Sequence, residues 1–231
     1  MVNVVVSNKD WHKNFVNEIE RITHSRLIYI NDKSMVNYKT LIQYNPRYIF
    51  FPHWSNIVPA EVYDNFECVI FHMTDLPFGR GGSPLQNLLV RGIYNTKLSA
   101  IRCVKDLDAG AVYMKMPLSL YGNAEEIYLR ASNLTKKMII NIIMKNMHPS
   151  PQNGCPVNFK RRKKEDGCIN GLKRIEEVFD YIRMLDAEGY PRAFINIGRF
   201  HIEFERASLK NGYIKADAKI VMKEDYDEQK K

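Results

Sequence analysis

Short apolar runs alternating with helical patterns organise the first half of the chain. Val2–Val6 is an apolar run closed by Ser7-Asn8, which predicts a buried strand. Residues 10–23 place Trp11, Phe15, Ile19 and Ile22 three and four apart, the spacing of a helix with one apolar face. Leu27–Ile30 reads as a second strand, residues 35–44 as a short helix, and Tyr48–Phe51 as a third strand ending at Pro52-His53-Trp54. Pro59 opens another short helix, and Cys68–Phe71 is a fourth strand. Strands alternating with helices imply right-handed crossovers and a largely parallel sheet, so an α/β, Rossmann-like domain is expected.

Further along, residues 84–92 read as a helix after a glycine-rich turn. Lys97–Cys103 and Ala111–Met114 read as strands, and residues 123–145 as a long helix with Ala124, Ile127, Ala131, Leu134, Met138 and Ile142 on one face. The stretch from His148 to Gly154 is dense in Pro, Ser and Asn and predicts a boundary. It divides the chain into a main α/β domain over 1–148 and a small α+β extension over 149–231. Within the extension, residues 171–187 read as a helix. Residues 199–208 and 213–222 alternate around Asn211-Gly212, a strong hairpin signal. Residues 224–231 read as a frayed charged tail.

A chain of 231 residues supports one well-buried core and a small appendage. Four cysteines without a CxxC pair point to reduced structural thiols and a reducing compartment. His148, Cys155 and Cys168 fit no zinc-ligand spacing, so no metal is expected. The N-terminal segment is too short and polar for a signal peptide, and no run reaches the roughly 18 apolar residues of a membrane span. A soluble, cytoplasmic protein is the expectation. The net charge of +8 favours anionic partners, and its densest cluster is Lys160–Lys164. No aromatic platform accompanies that cluster, which argues against RNA. The strand–helix turn at Ser7 lacks GxGxxG, which disfavours a dinucleotide.

Two segments carry the candidate chemistry. Residues 68–86, CVIFHMTDLPFGRGGSPLQ, put His72 at the end of an apolar run, followed by Leu76-Pro77 and Arg80-Gly81-Gly82-Ser83-Pro84. Residues 104–113, VKDLDAGAVY, put Asp106 and Asp108 before Ala109-Gly110. In an open α/β sheet, ligands bind beyond the carboxyl ends of the strands, where His53-Trp54, His72 and Asp108 would converge. A histidine titrating near neutrality with a carboxylate to orient it suits proton-coupled group transfer.

Together these segments resemble the N10-formyltetrahydrofolate-dependent formyltransferases, whose pattern is N-x-H-x-S-x-L-P-x-x-R-G-x-x-P followed by L-D-x-G. His72, Thr74, Leu76-Pro77, Arg80-Gly81 and Pro84 fall on the first motif, and Leu107-Asp108-Ala109-Gly110 on the second. Ile70 stands where the family has asparagine. The resemblance covers residues 40–130 well and the rest loosely. It implies an N-formyltransferase with N10-formyltetrahydrofolate as cosubstrate, His72 as base or proton shuttle, and Asp108 as its orienter. Folate would lie along Trp54, Ile57, Val58, Leu107 and Asp108. Ile70 also fits F-H-M-T-D-[LV]-P-x-G-R-G-G-S-P-L-Q, which resembles sugar formyltransferases of the pseudaminic-acid type. The short appendage with its acidic end argues against a tRNA acceptor. The main expectation is therefore formylation of a UDP- or dTDP-linked 4-amino sugar, with Asn8, Lys9, Arg80 and Gly82 on the diphosphate. No nucleic-acid or membrane partner is expected, and a homodimer is left open. The alternatives are a non-catalytic folate- or nucleotide-sugar-binding module, for which Ile70 is the support, and a methionyl-tRNA formyltransferase.

Overall fold

The computed structural model describes residues 1–223; the expected charged tail lies outside the described residues. The chain runs β1 (Val2–Val6), α1 (Asp10–Thr23), β2 (Arg26–Ile30), α2 (Tyr38–Leu41), β3 (Tyr48–Phe51), α3 (Ala60–Tyr63), β4 (Cys68–His72), β5 (Phe78–Gly81) and α4 (Pro84–Leu89). It continues with β6 (Asn95–Arg102), β7 (Val112–Ser119), α5 (Ala124–Lys145), β8 (Val157–Phe159), α6 (Ile175–Arg183), β9 (Ala193–Ile197), β10 (Phe200–Lys210) and β11 (Tyr213–Met222).

The central sheet has the order β2-β1-β3-β4-β6-β7. β1 pairs parallel with β2 and β3, β3 pairs parallel with β4, and β6 joins β4 antiparallel. The expected α/β class with a mostly parallel sheet is what the chain forms. Its cause is visible in the central strands: Val4–Val6 and Tyr48–Phe51 are buried throughout, as strands covered on both faces must be. Asn3, also fully buried, gives its amide to Ser25 Oγ at 3.2 Å. The apolar stripe of α1 buries Phe15, Val16 and Ile19, and the helix ends where His24 turns left-handed at φ 50°.

Residues 35–44 do not form one helix. Two 3₁₀ turns, at 33–35 and 42–44, flank the four-residue α2, whose N-terminus is set by Asn37 accepting from the Thr40 N–H at 2.9 Å. The helix expected over 171–187 is confined to Ile175–Arg183. Three strands were not anticipated: β5 and β8, which pair parallel with each other, and β9, which completes a sheet of order β11-β10-β9. The β10–β11 hairpin turns at Asn211-Gly212 as expected, with Gly212 at φ 80°.

The chain forms two compact units. The first comprises residues 1–81, 96–118 and 129–159; the second comprises 82–95, 119–128 and the chain from Lys160 on. Residues 149–159 thus belong with the first unit, because β8 pairs with β5. Within the second unit, Gln86 Nε2 donates to Tyr128 Oη and to the Met184 carbonyl, both at 3.1 Å. Tyr94 Oη donates to Asp180 at 2.8 Å, and Asp180 pairs with the buried Arg183 at 2.7 Å. These side chains, far apart in sequence, are what gather residues 82–95 and 119–128 to the later chain. Among the described residues, no helix is long and apolar enough to cross a membrane.

Candidate active site

β4 ends on His72, which lies opposite Ser99 of β6. The loop after β4 contains a cis Leu76–Pro77 bond, and the Gly79 carbonyl lies 2.7 Å from His72 Nε2. A carbonyl only accepts, so Nε2 carries the hydrogen. The other ring nitrogen, Nδ1, is then the basic atom of the neutral ring. It faces Asp108 Oδ2 at 3.5 Å, and both side chains are buried. Ser99 Oγ donates to the Thr74 carbonyl at 2.7 Å, and Lys115 Nζ donates to Asp75 at 2.6 Å and to the Leu76 carbonyl. The loop that orients the imidazole is therefore itself held at several points.

Asp108 sits in the loop between β6 and β7 with φ 52°, and its Oδ2 accepts the Gly81 N–H at 2.9 Å. Two glycines make this approach feasible. Gly81 has φ 106°, and a Cβ there would lie 2.4 Å from the Phe159 carbonyl oxygen; a Cβ at Gly110 would lie 1.8 Å from that of Arg102. Gly81 is thus barred to side chains by both conformation and space, and Gly110 by space.

The structure brings His72 and Asp108 together and disposes the other candidates differently. Trp54 and Val58 pack against the core beside Phe51, whereas Ile57 and Leu107 are 89% and 68% exposed at the ends of their loops. The Trp54 Nε1 atom is buried with no hydrogen-bond partner among the described residues. Asn8 is exposed, and Lys9 lays its ammonium over the Trp11 ring at 5.1 Å. Arg80 spends its guanidinium on Gln152 Oε1, with Nε at 3.1 Å and Nη2 at 2.8 Å. Gly82 lies in the second unit, where a Cβ would meet Arg161 at 2.5 Å.

His53 stands beside Trp11, ring centroids 6.2 Å apart. Burial, reinforced by the Lys9 charge, pushes its pKa down to about 4. His12 is fully buried with Nδ1 2.6 Å from Ser7 Oγ; burial first, then His53 and Lys9, push it down to about 3. Both rings are neutral at physiological pH, which leaves neither suited to proton exchange there. Sequence reasoning missed the Gly79 carbonyl, Ser99 and Gln152. Only Gln152 offered a signal, as the one long polar side chain within a run of turn formers.

The family model described as "Methionyl-tRNA formyltransferase, C-terminal domain" matches residues 164–221. The methionyl-tRNA formyltransferase of Campylobacter lari is 26% identical over 180 residues, covering 76% of this chain and 58% of the relative. That of Campylobacter jejuni is likewise 26% identical, with 57% of its length covered, so the chain spans a little over half the length of these relatives. A solved structure titled "Methionyl-tRNA formyltransferase from Clostridium thermocellum" is 45% identical, with 96% of this chain and 99% of that chain covered and a TM-score of 0.92. A sugar N-formyltransferase from Shewanella superposes with a TM-score of 0.68 at 14% identity over 85% of this chain and 93% of that one, a likeness of fold alone.

These findings overturn two expectations: the amino-sugar nucleotide as acceptor, and the exclusion of nucleic acid. Both leaned on the short appendage with its acidic end, the first also on the motif likeness around Ile70 and the second on the lack of an aromatic platform beside Lys160–Lys164. Yet residues 164–221 of that appendage are what the methionyl-tRNA formyltransferase domain model matches. The diphosphate role of Asn8, Lys9, Arg80 and Gly82 goes with that acceptor, and Arg80 has an internal partner already. At 45% identity over nearly the full length of both chains, the chain belongs to the formyltransferase family.

Proposed function

We propose that the chain transfers the formyl group of N10-formyltetrahydrofolate to the amine of methionyl-tRNA. The observation that carries this reading is the buried His72–Asp108 pair in a chain 45% identical to a methionyl-tRNA formyltransferase. The net charge of +8 suits a polyanionic acceptor, and an acceptor made for translation agrees with a cytoplasmic location. The exposed Ile57 and Leu107 offer apolar edges to a flat pterin.

The donor supplies an activated formyl carbon. The amine nitrogen bonds to it as the bond to N10 breaks, and the amine proton ends on the tetrahydrofolate nitrogen. Between those points the proton needs a station. His72 provides it at Nδ1, because Nε2 is committed to the Gly79 carbonyl. A proton arriving on Nδ1 meets the Asp108 carboxylate across 3.5 Å, and the resulting ion pair is stabilised by the low polarity of a buried site. Asp108 keeps its orientation through the Gly81 N–H.

The purified protein should convert methionyl-tRNA to its N-formyl form and release tetrahydrofolate in equal amount. Absence of tetrahydrofolate release with methionyl-tRNA, in a sample that stays folded, would sink the reading.

Ile70 gives a second test. It projects to the same side of β4 as His72, pairs with Ile101 of β6, and packs against the core. Ile70→Asn, which restores the family pattern, should lower stability by about 1 kcal/mol through a partly buried amide without partners. It should not raise turnover. Higher turnover at unchanged thermal stability would mean that the oxyanion lacks a donor in the native chain.

A further inference from the structure

We infer that Gln152 is a positioning residue for the transfer, holding the Asp108 carboxylate at its working distance from His72; this rests on the proposed function. Its Oε1 accepts from Arg80 Nε and Nη2, at 3.1 and 2.8 Å. Its Nε2 donates to the carbonyls of Asp108 and Gly110, at 2.8 and 2.9 Å. A guanidinium only donates and a carbonyl only accepts, so the amide has one permitted orientation, and all four of its hydrogen-bonding positions are used.

What the amide ties together gives it the role. Asp108 is held at φ 52°, a conformation unfavourable for a residue other than glycine, which persists where its surroundings enforce it. The two Nε2 bonds grip the chain on both sides of Ala109, at the turn that enforces it. Arg80 lies between Gly79, whose carbonyl takes His72 Nε2, and Gly81, whose N–H takes Asp108 Oδ2. One side chain thereby links the strand that orients the imidazole to the loop that presents the carboxylate. Gln152 itself is fixed from beyond by the pairing of β8 with β5.

The test uses the full chain, isotopically labelled, as Gln152→Ala and Gln152→Glu. Glutamate keeps an acceptor for Arg80 but sets a carboxylate against two carbonyls, so it separates the two halves of the contact. The first readout is the Gly81 amide, which reports whether the Asp108 carboxylate is still in place. In both variants its hydrogen-exchange protection should fall at least about tenfold, as expected when a hydrogen bond to a carboxylate is lost. The second readout is kinetic. Misplacement of a reacting group by about 1 Å costs on the order of 10²-fold, so kcat should fall about 10- to 100-fold with KM for methionyl-tRNA held within about threefold. Gly81 protection and kcat both within about twofold of wild type in both variants would overturn the inference. So would unfolding of both, since a positioning residue leaves the fold intact. If wild type transfers no formyl group to methionyl-tRNA, the proposed function fails, while the Gly81 measurement still decides the role of Gln152.

Discussion

Turnover in His72→Asn and in Asp108→Asn should fall at least about 100-fold, with the fold retained. That factor corresponds to about 2.7 kcal/mol of lost transition-state stabilisation. Asparagine at 72 places its amide near the position of Nδ1, short of the Gly79 carbonyl that Nε2 meets at 2.7 Å, so this variant also gives up that contact. What it lacks is a basic nitrogen to take the amine proton. The Asp108 substitution acts on the same atom from the other side. An amide at 108 can still accept from the Gly81 N–H, which in the native chain is 2.9 Å from Oδ2. The same oxygen faces Nδ1 in the native chain, so the amide keeps that position but carries no charge to stabilise the protonated ring. Asp108→Ala is a harsher change, because it also strands the Gly81 N–H, at a cost of about 1–3 kcal/mol. The diagnostic pattern is therefore equal loss of turnover in Asp108→Asn and Asp108→Ala, with lower stability in the alanine variant alone. Turnover of Asp108→Asn within a few-fold of wild type would remove the carboxylate from the mechanism.

Much of this site is legible in the sequence, for reasons that also explain what is not. Tyr48–Phe51 and Val2–Val6 are recognisable because strands covered on both faces must be apolar throughout. His72 and Asp108 are recognisable because each is embedded in a motif with Leu-Pro, Arg-Gly or Ala-Gly at fixed offsets. β5, by contrast, is Phe-Gly-Arg-Gly, with no alternation to read; its pairing with β8 is imposed by the returning chain. Gln152 lies among Pro149, Pro151, Asn153 and Gly154, a composition that signals a linker. The turns are real, but what they do is carry one amide back to Arg80, Asp108 and Gly110. β9 did carry a signal: Ala193, Ile195 and Ile197 alternate and meet Phe204, Ile202 and Phe200 of β10. The acceptor is not legible from length and terminal charge, because neither reports the domain pattern that residues 164–221 match.

Stability should fall steeply between pH 6.5 and pH 4, driven by His12 and, to a smaller degree, His53. An unfolded histidine titrates near 6.5, whereas burial holds native His12 down at about 3 and native His53 at about 4. Below about 6.5 the unfolded chain therefore binds protons that the native chain refuses, so acid favours unfolding. The contribution is fully present above the unfolded pKa and is lost as pH falls toward the native one. Each such group adds a slope of about 1.4 kcal/mol per pH unit. His12 alone should cost about 2 kcal/mol between pH 7.5 and pH 5. His53 adds in the same direction but retains some exposed surface, so its share is smaller. Most carboxylates titrate near pH 4, so the upper part of this window belongs to the histidines. Urea unfolding at pH 7.5, 6 and 5 measures the effect, and His12→Gln isolates it. Glutamine can keep a hydrogen bond to Ser7 Oγ, where His12 Nδ1 lies at 2.6 Å, yet it does not titrate. The variant should lose about 2 kcal/mol less than wild type between pH 7.5 and pH 5. Parallel losses in the two proteins would place the acid sensitivity elsewhere.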